Sequence, residues 1–319
     1  MKRRAIFVGI LLSIILVFSC QDDFPVLKGP YLGQKPPGMK PEVFAPGIVS
    51  SNDQEHSSLS FSPDGKELWW SLWRLPHNLD KYPQIIKYSK FENGKWSEPK
   101  TAPFASAYRE GGPSFSHDGN RIYYYSRRPI NIDSNEMNDN DIWFVERKDD
   151  GWGEPVNLGE PVNTNFVEAT PCLAANGNLY FTSNRNQYED PTGNNDLFVS
   201  RYTNGVYGEP ENISDVINTS YARESFPYIA PDESYVIFSR DSRRFDQEGN
   251  IVNGDRKLMI SFRNKNGVWQ SPVEMGPDFY KARFPSVSPD GKYLFLTKFS
   301  EETHEDFYWV DVGIIQSLK

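Results

Sequence analysis

Charged residues recur in this chain at fixed distances from a repeated turn. In three of five repeats, a glutamate precedes the central turn residue by eight positions, and an arginine follows it by eight or nine. The glutamates are Glu110, Glu168 and Glu224, and the arginines are Arg127, Arg185 and Arg240. Because a hairpin folds back about its turn, these distances bring each glutamate nearly opposite its arginine. The spacing predicts a partial ring of paired charges.

Two interpretations of this ring remain open. Repeated ion pairs can fix the register of neighbouring strands, which is the commoner role. Alternatively, the ring forms a funnel for a polar ligand, in which arginines hold carboxylates or phosphates by two parallel hydrogen bonds. The candidate ligand-binding residues are therefore Glu110, Glu168, Glu224, Arg127, Arg185 and Arg240. In the first and last repeats, His56 and Ala282 stand at the glutamate position.

Signals for catalysis are poor. The four histidines show no metal-binding spacing, and the sequence has no Gly-x-Ser-x-Gly elbow. A glycosidase needs two carboxylates facing each other, and an arginine beside each glutamate would keep it ionised and unfit as a general acid. The oxygen-rich stretch 133–141 lacks the glycine and spacing of an EF-hand calcium loop. We predict no catalytic residue, no cofactor and no metal.

A hairpin that recurs five times must position these charges. Its central turn residues are Asp64, Asp118, Asn176, Asp232 and Asp290, which lie 54 to 58 residues apart. Such a period marks an array of similar units, and a unit made only of strands is typical of a propeller blade. The strand before each turn alternates large and small residues, which suits the lining of a central channel. The strand after each turn is apolar throughout, as expected when blades cover both of its faces.

A third strand and an outer strand complete each unit. The outer strand carries an aromatic residue three positions before a proline, at Trp96, Trp152, Tyr207 and Trp269. The fifth unit lacks this feature, whereas residues 41–49 precede the first unit and have no other partner. We therefore predict an all-β propeller of four-stranded antiparallel blades, closed by this N-terminal strand. Five blades are favoured and six are possible.

The connections between second and third strands are long and open at the same mouth as the charges. They cover residues 72–84, 128–140, 184–195 and 241–255. Long loops on a rigid scaffold often carry binding residues. Trp73, Tyr82, Tyr188 and Phe245 offer stacking faces for a ligand, although packing within the loops is an equally good interpretation.

The combination of these motifs resembles a known repeat family. The Ser-Pro-Asp-Gly hairpin, the aromatic strand after it and the Trp-x-x-Pro outer strand are similar to the WD40-like β-propeller repeats of the TolB type. The resemblance covers roughly residues 41–311. The resemblance implies a propeller fold. Because the best-known members of the family have six blades, six blades remain possible here.

The N-terminus has the features of a targeting segment. Three basic residues precede a 14-residue apolar run, Ala5 to Phe18, which is followed by Ser19-Cys20. This pattern resembles the bacterial lipobox, which implies cleavage before Cys20 and lipidation of that residue. Residues 24–40 are rich in Pro and Gly and are predicted to be a tether. The expected organisation is a signal peptide at 1–19, a lipidated cysteine and tether at 20–40, and a propeller at 41–319.

Composition and the predicted lipid anchor together limit the possible functions. A formal net charge of −9 disfavours nucleic acid and anionic membrane surfaces as partners. We predict a bacterial cell-envelope protein, at the outer membrane or cell surface, that contacts the membrane only through its lipid. Its expected role is to bind a glycan, a peptide or an envelope protein. The alternative is a carbohydrate-active hydrolase at the channel mouth.

Overall fold

Five antiparallel sheets surround a central channel in this protein. The computed structural model describes residues 24–73, 84–130, 139–149, 151–186, 195–245, 251–300 and 304–319. Within these ranges the helices are three short ones, Tyr31–Gly33, Pro277–Phe279 and Gly313–Gln316, none with the length and apolar character needed to cross a membrane. The prediction of an all-β propeller with five blades is confirmed.

Each blade runs from an inner strand at the channel to an outer strand at the rim. Blade one contains Gln54–Glu55, Ser60–Phe61, Glu67–Trp73, Ile85–Glu92, Lys95–Trp96 and Lys100–Thr101. Blade two contains Glu110–Phe115, Arg121–Ser126, Asp141–Lys148, Gly151–Trp152 and Val156–Asn157. Blade three contains Glu168–Leu173, Leu179–Ser183, Asp196–Ser200, Tyr202–Thr203, Val206–Tyr207 and Glu211–Asn212. Blade four contains Ala222–Ile229, Tyr235–Phe245, Ile251–Phe262 and Val273–Glu274. Blade five contains Ala282–Val287, Tyr293–Ser300, His304–Asp311 and, from the N-terminal part, Glu42–Val43.

The N-terminal strand closes the ring as predicted. Glu42 lies opposite Trp309 and Val43 opposite Tyr308, so that the first strand is the outer strand of blade five. The backbone N–H of Phe44 donates to the carbonyl of Phe307 at 2.8 Å. The strand is shorter than expected, because the chain turns after Phe44, but it still supplies blade five with its outer strand.

Apolar second strands form the core between blades. Trp69 of blade one is fully buried, stacks on Tyr88 at 4.7 Å and packs against Tyr124 of blade two. Tyr123, on the opposite face of blade two, packs against Phe181 of blade three. Both faces of a second strand are therefore covered by neighbours, as its unbroken apolar sequence predicts.

The repeated turns lie at one end of the channel, which we call the turn face. Gly65, Gly119, Gly177 and Gly291 have left-handed φ angles of 69 to 87°, and Glu233 takes the same conformation in blade four with φ 57°. Arg263, Asn178 and Tyr180 hydrogen-bond to the Glu233 carboxylate, which compensates for the missing glycine. Above the turns, the inner strands enclose a cavity of about 220 Å³ lined by Phe61, Phe115, Leu173, Ile229 and Val287.

A β-bulge interrupts the inner strands of blades two to five just before the proline. The residues concerned have left-handed φ angles: Gly112 at 61°, Thr170 at 52°, Phe226 at 60° and Phe284 at 53°. The register shifts by one residue at each of these sites. This conformation is costly for Thr and Phe, and the sequence pattern had indicated only an unpaired edge. The bulges change which residues of the hairpin lie opposite each other.

The outer strand differs from the prediction in position. The aromatic residue lies in a small hairpin at the end of the third strand, as Trp96 does opposite Phe91. The chain then bends at the proline, and the residues that follow pair with the middle of the third strand, as Lys100 does with Tyr88. Proline has no N–H to donate, so the ladder breaks there and resumes after it.

Residues 24–40 pack along the turn face, where a tether was expected; we call this segment the strap. The backbone N–H and Nε1 of Trp96 donate to the carbonyls of Leu27 and Gly29 at 2.9 and 2.8 Å. Tyr31 contacts the rings of Phe61 and Tyr293, and Leu32 is buried beside them. Its Pro and Gly content reflects tight turns against the blades and not free motion.

Parts of the predicted loops lie outside the described residues. These parts include Tyr82, Tyr188 and residues 133–138. Cys20 also lies outside the described residues. The loop expected at 241–255 is largely strand, since Tyr235–Phe245 and Ile251–Phe262 pair as far as Phe245 opposite Ile251. Trp73 ends the second strand of blade one and is buried, with 6% of its surface exposed.

Candidate functional site

The predicted charges gather at the end of the channel opposite the turn face. Inner strands and third strands begin there, and second strands end there. We define the charged mouth by Arg109, Arg127, Arg223, Arg283 and Glu305, which lie at or next to these strand ends in blades two, four and five.

Two of the three predicted ion pairs form as expected. Arg185 donates from Nη2 to Glu168 Oε1 at 3.1 Å, and Arg240 donates from Nε to Glu224 Oε1 at 2.8 Å. The third prediction is wrong in one residue, because Glu110 pairs with Arg128 and not with Arg127. The Nε of Arg128 is 3.1 Å from Glu110 Oε1.

Turn length explains the misassigned arginine. In blade two, Phe115 lies opposite Ile122, whereas in blade three the corresponding Leu173 lies opposite Leu179. The hairpin of blade three is therefore one residue shorter than that of blade two. Counting from the turn therefore places Arg127 where Arg185 lies. In the structure, Arg128 follows Ser126 by two residues and shares the face of Glu110, while Arg127 points to the other face.

Each pair also fastens the incoming chain to its blade. The backbone N–H and hydroxyl of Thr164 donate to Glu168 at 2.9 and 2.8 Å, and Thr219 contacts Glu224 in the same way. Arg185 also donates to the carbonyl of Val162 at 2.6 Å. The three paired glutamates are 0 to 1% exposed, and their oxygens are already occupied by these donors. The geometry assigns these pairs to the framework of the blades.

Burial changes the protonation expected for these acids. Removal from water raises the pKa of Glu224 to about 7 in spite of Arg240, and the pKa of Glu168 is also raised by burial. Desolvation therefore opposes the expectation that an arginine keeps each glutamate ionised, most strongly at Glu224.

Blades one and five carry related acids that the repeat spacing missed. Ser51 donates to Glu55 from its N–H at 3.0 Å and its hydroxyl at 2.8 Å, so Glu55, and not His56, holds the glutamate position of blade one. Glu55 lies five positions before Ser60, whereas Glu110 lies four before Ser114, so blade one has one more residue here than blade two. In blade five Ala282 has no carboxylate, and Glu305 of the third strand supplies one instead.

Glu305 is the centre of a buried polar cluster. Arg283 binds it through two nitrogens, with Nη2 2.6 Å from Oε2, and Thr297 Oγ1 donates to Oε1 at 2.9 Å. Gln54 Nε2 and His56 Nδ1 lie 3.0 and 3.2 Å from Oε2. Hydrogen bonds from His56 and the charge of Arg283 lower the pKa of Glu305 to about 2 against its desolvation, while burial lowers the pKa of His56 to about 4.

Three arginines of the charged mouth form no ion pair within the described part of the chain. Arg109 Nε donates to Gln84 Oε1 at 3.3 Å, and Arg127 Nε donates to Asn140 Oδ1 at 3.2 Å. Arg223 Nε is buried and has no acceptor among the described residues. The other arginines with described side chains each pair with an Asp or Glu. The arginines without an ion pair among the described residues therefore all lie at this one rim.

Aromatic rings connect blades four, five and one along the same rim. Phe226 and Phe284 have ring centroids 4.0 Å apart, and His56 is 4.8 Å from Phe284. Trp73 is 6.2 Å from His56, and the guanidinium of Arg109 lies 5.0 Å from the Trp73 ring. We call these residues the aromatic arc. It holds His56 and Arg109 in fixed positions beside each other.

Little in the sequence indicated this arrangement. Arg109 and Arg223 each precede one of the repeated glutamates, but a single arginine before a strand carries no pattern. His56 stands at the glutamate position of the first repeat, and this position does not indicate its contact with Glu305. A Gln or Asn opening the third strand, such as Gln84 and Asn140, was the one available hint of polar contacts at the mouth. Among the described residues, no group of three or more metal-ligating side chains occurs.

Comparison with known proteins supports the fold. No protein-family model and no curated protein matches the sequence. A solved structure of BT0996, described as an RGII complex, is similar with a TM-score of 0.51 and 8% identity, over 86% of this chain and 91% of that one. A structure described as a glycoside hydrolase is similar with a TM-score of 0.50 and 8% identity, over 88% of this chain and 93% of that one. At these identities the similarity shows a shared propeller architecture.

The chain also matches part of larger peptidases. Prolyl oligopeptidase B from Galerina marginata aligns with a TM-score of 0.42 and 15% identity over 82% of this chain. The chain spans about a third, 32%, of that enzyme's length.

Proposed function

We propose that this protein is a lipid-anchored, extracytoplasmic β-propeller that binds a polar ligand carrying a carboxylate, on a glycan or a peptide, at the charged mouth. The observation that carries the proposal is the concentration of arginines without a carboxylate partner, among the described residues, at one rim of an acidic protein. Arginine binds carboxylates through paired hydrogen bonds. An anionic ligand would therefore supply the charge that the blades leave out.

The electrostatics of Arg109 and Arg127 support this assignment. Burial and the neighbouring Arg109 lower the pKa of Arg127, as expected when two cations are close and partly desolvated. Asp139 offsets part of this repulsion, and an anionic ligand would offset more of it. Gln84 and Asn140 fix the direction of both guanidinium groups.

The alternative of a carbohydrate-active hydrolase receives less support from the geometry. Such an enzyme needs an acid and a second carboxylate that both reach the substrate. Glu110, Glu168, Glu224 and Glu305 are each held by an arginine and are at most 1% exposed. The charged mouth therefore supports capture of a ligand better than its cleavage.

The strap supports a defined orientation of the anchored protein. It leaves the blades at the turn face, beside Trp96 of the outer hairpin of blade one. Phe24 lies four positions after the lipidated Cys20 that the sequence predicts, and four Cα–Cα steps span at most ~14 Å. With that anchor the turn face would lie near the membrane, and the charged mouth would open away from it.

Calorimetric titration with oligosaccharides and peptides that carry carboxylates tests the proposal. The full-length protein in detergent should bind at least one class, more weakly as salt is raised. Arg109→Gln and Arg223→Gln should each weaken binding by roughly 2 kcal/mol or more. Arg201→Gln is the matched control, because Arg201 pairs with Glu211 on the exposed rim of blade three. Equal binding by all three variants would refute the site, and measurable turnover would favour the hydrolase.

A further inference from the structure

His56 is held in one orientation at the charged mouth. The rings of Phe284 and Trp73 both make edge-to-face contacts with its ring, with centroids 4.8 and 6.2 Å away. The side chain is 17% exposed, whereas its partner Glu305 is fully buried. The blade framework described above accounts for Glu305 but leaves one nitrogen of His56 without a role.

The partner of Nδ1 determines which nitrogen carries the proton. Nδ1 lies 3.2 Å from Glu305 Oε2. Arg283, Thr297 and Gln54 all donate to that carboxylate, which keeps it ionised and able only to accept hydrogen bonds. Nδ1 must therefore carry a hydrogen. In the neutral ring, Nε2 is then an acceptor with a lone pair directed away from Glu305.

Nε2 makes no hydrogen bond within the described part of the chain. Glu305, Arg283 and Arg109 are the charged groups that act on the ring, and burial and the two arginines favour its neutral form. An acceptor in this state suits a hydroxyl group, which donates a hydrogen bond without bringing charge. His56 thus offers a fixed acceptor at the rim.

Arg109 is fixed beside this acceptor. Gln84 Nε2 donates to the carbonyl of His56 at 2.6 Å, and Gln84 Oε1 accepts from Arg109 Nε at 3.3 Å. The Trp73 ring contacts both His56 and Arg109. Gln84 and the Trp73 ring therefore hold His56 and Arg109 at a fixed separation. His56 is the neutral acceptor, and Arg109 is the cation without an ion pair in the described residues.

We propose that the charged mouth binds an acidic saccharide, in which a hydroxyl group donates to His56 Nε2 while the carboxylate of the sugar binds Arg109. This inference rests on the proposed function and narrows its ligand to uronic acids. A uronic acid ring holds its carboxylate and its hydroxyl groups at fixed separations. A rigid ring loses little conformational entropy on binding to two rigid partners, whereas a peptide must be ordered first.

Titration of the full-length protein with a panel of uronic acid disaccharides tests the inference. Neutral galactose disaccharides and the peptide triglycine, which has a free carboxylate, are the comparison ligands. We expect a uronic acid disaccharide to bind at least tenfold more tightly than either. His56→Asn keeps an N–H near the position of Nδ1 but removes the outer acceptor, and it should raise the Kd of the disaccharide about tenfold. Its melting temperature reports whether the fold is kept.

The outcomes separate this inference from the proposed function. If triglycine binds and no uronic acid does, or if His56→Asn binds the disaccharide as well as the unchanged protein does, the inference is wrong and the proposed function stands. If no carboxylate ligand binds, both are wrong.

A measurement on the unchanged protein guards against a folding defect in the variant. Long-range ¹H–¹⁵N correlation spectra distinguish the two neutral tautomers of histidine. We expect His56 to be protonated at Nδ1 and unprotonated at Nε2 at pH 7. We also expect the Nε2 resonance to shift when the disaccharide is added. A proton on Nε2, or no shift on saturation, would overturn the inference.

Discussion

Tyr31 donates a hydrogen bond from its hydroxyl to Asp290 Oδ1 at 2.7 Å, which joins the strap to the turn of blade five. Its ring also lies against Phe61 of blade one and Tyr293 of blade five. The strap therefore crosses the same joint between blades that the first strand closes.

This contact leads to a prediction for stability. Tyr31→Phe keeps the ring packing but removes the hydrogen bond, and should lower the free energy of unfolding by about 1 kcal/mol. Chemical denaturation followed by tryptophan fluorescence measures the change. Tyr221→Phe is the control, because Tyr221 is 64% exposed and should have no effect. An unchanged midpoint for Tyr31→Phe would show that the strap contributes through apolar contacts alone.

Two adjacent arginines should differ sharply in their contribution to folding. Arg128→Gln breaks the pair with buried Glu110 and should destabilise the protein by about 3 kcal/mol or more, because one buried charge loses its partner. Arg127→Gln removes a side chain that pairs with no acid in the described residues, and should change stability by less than about 1 kcal/mol. Thermal melts of the two variants compare them directly. If Arg127→Gln were the more destabilising variant, Glu110 would pair with Arg127, as the repeat spacing predicts.

Glu305 should govern part of the response to acid. Its pKa in the folded protein is about 2, against an ordinary value of 4.5. A depressed pKa means that this stabilisation is complete above about pH 4.5 and is lost as the pH falls towards 2. Glu305→Gln should lower stability at pH 7 and flatten the loss between pH 4.5 and 2. Glu274→Gln, which breaks the exposed pair with Lys257, should leave that slope unchanged.

Glu55 should have the opposite effect at higher pH. Burial raises its pKa to about 8, so the folded protein holds a proton that the unfolded chain releases above about pH 4.5. Its contribution is therefore most favourable below pH 4.5 and is lost as the pH rises to 8. Glu55→Gln cannot ionise and keeps an oxygen for Ser51. Unfolding experiments from pH 5 to 8 should show a smaller decline for the variant, and parallel curves would contradict the assignment.

The proposed anchor and orientation can be tested together. Cys20→Ser should move the protein from the membrane fraction to the soluble fraction. For the anchored protein, a fluorophore at Val268→Cys on an outer hairpin of the turn face should be quenched by labelled lipid. A fluorophore at Tyr221→Cys near the charged mouth should not. Both positions are exposed, at 59% and 64%. Equal quenching would refute the orientation, while membrane association of Cys20→Ser would refute the anchor.

The fold was predictable because its signals are local. A turn residue such as Asp64 followed by an apolar strand defines a hairpin within one stretch of sequence, and five copies define a ring. The closing strand was predictable by elimination, since Glu42–Val43 was the remaining segment and blade five lacked an edge. These inferences need only the alternation of large and small residues along a strand, the residue types of the turns and a count of strands.

The site was less predictable because it depends on single-residue register. A one-residue difference in turn length exchanged Arg127 for Arg128, and one additional residue in blade one exchanged His56 for Glu55. The unpaired state of Arg109 and Arg223 among the described residues depends on which side chains surround them after five blades have packed. The packing of the strap was not predictable, because Pro and Gly occur equally in free linkers and in close turns.

The shared blade has a consequence for how the protein matures. Synthesis proceeds from the N-terminus, so Glu42–Val43 is made long before its partner strand His304–Asp311. Until then, the partner of the first strand does not exist, and the unfinished molecule has unpaired backbone groups that favour aggregation. A prematurely terminated product would keep that defect permanently, so its persistence in a cell would depend on chaperones and proteases.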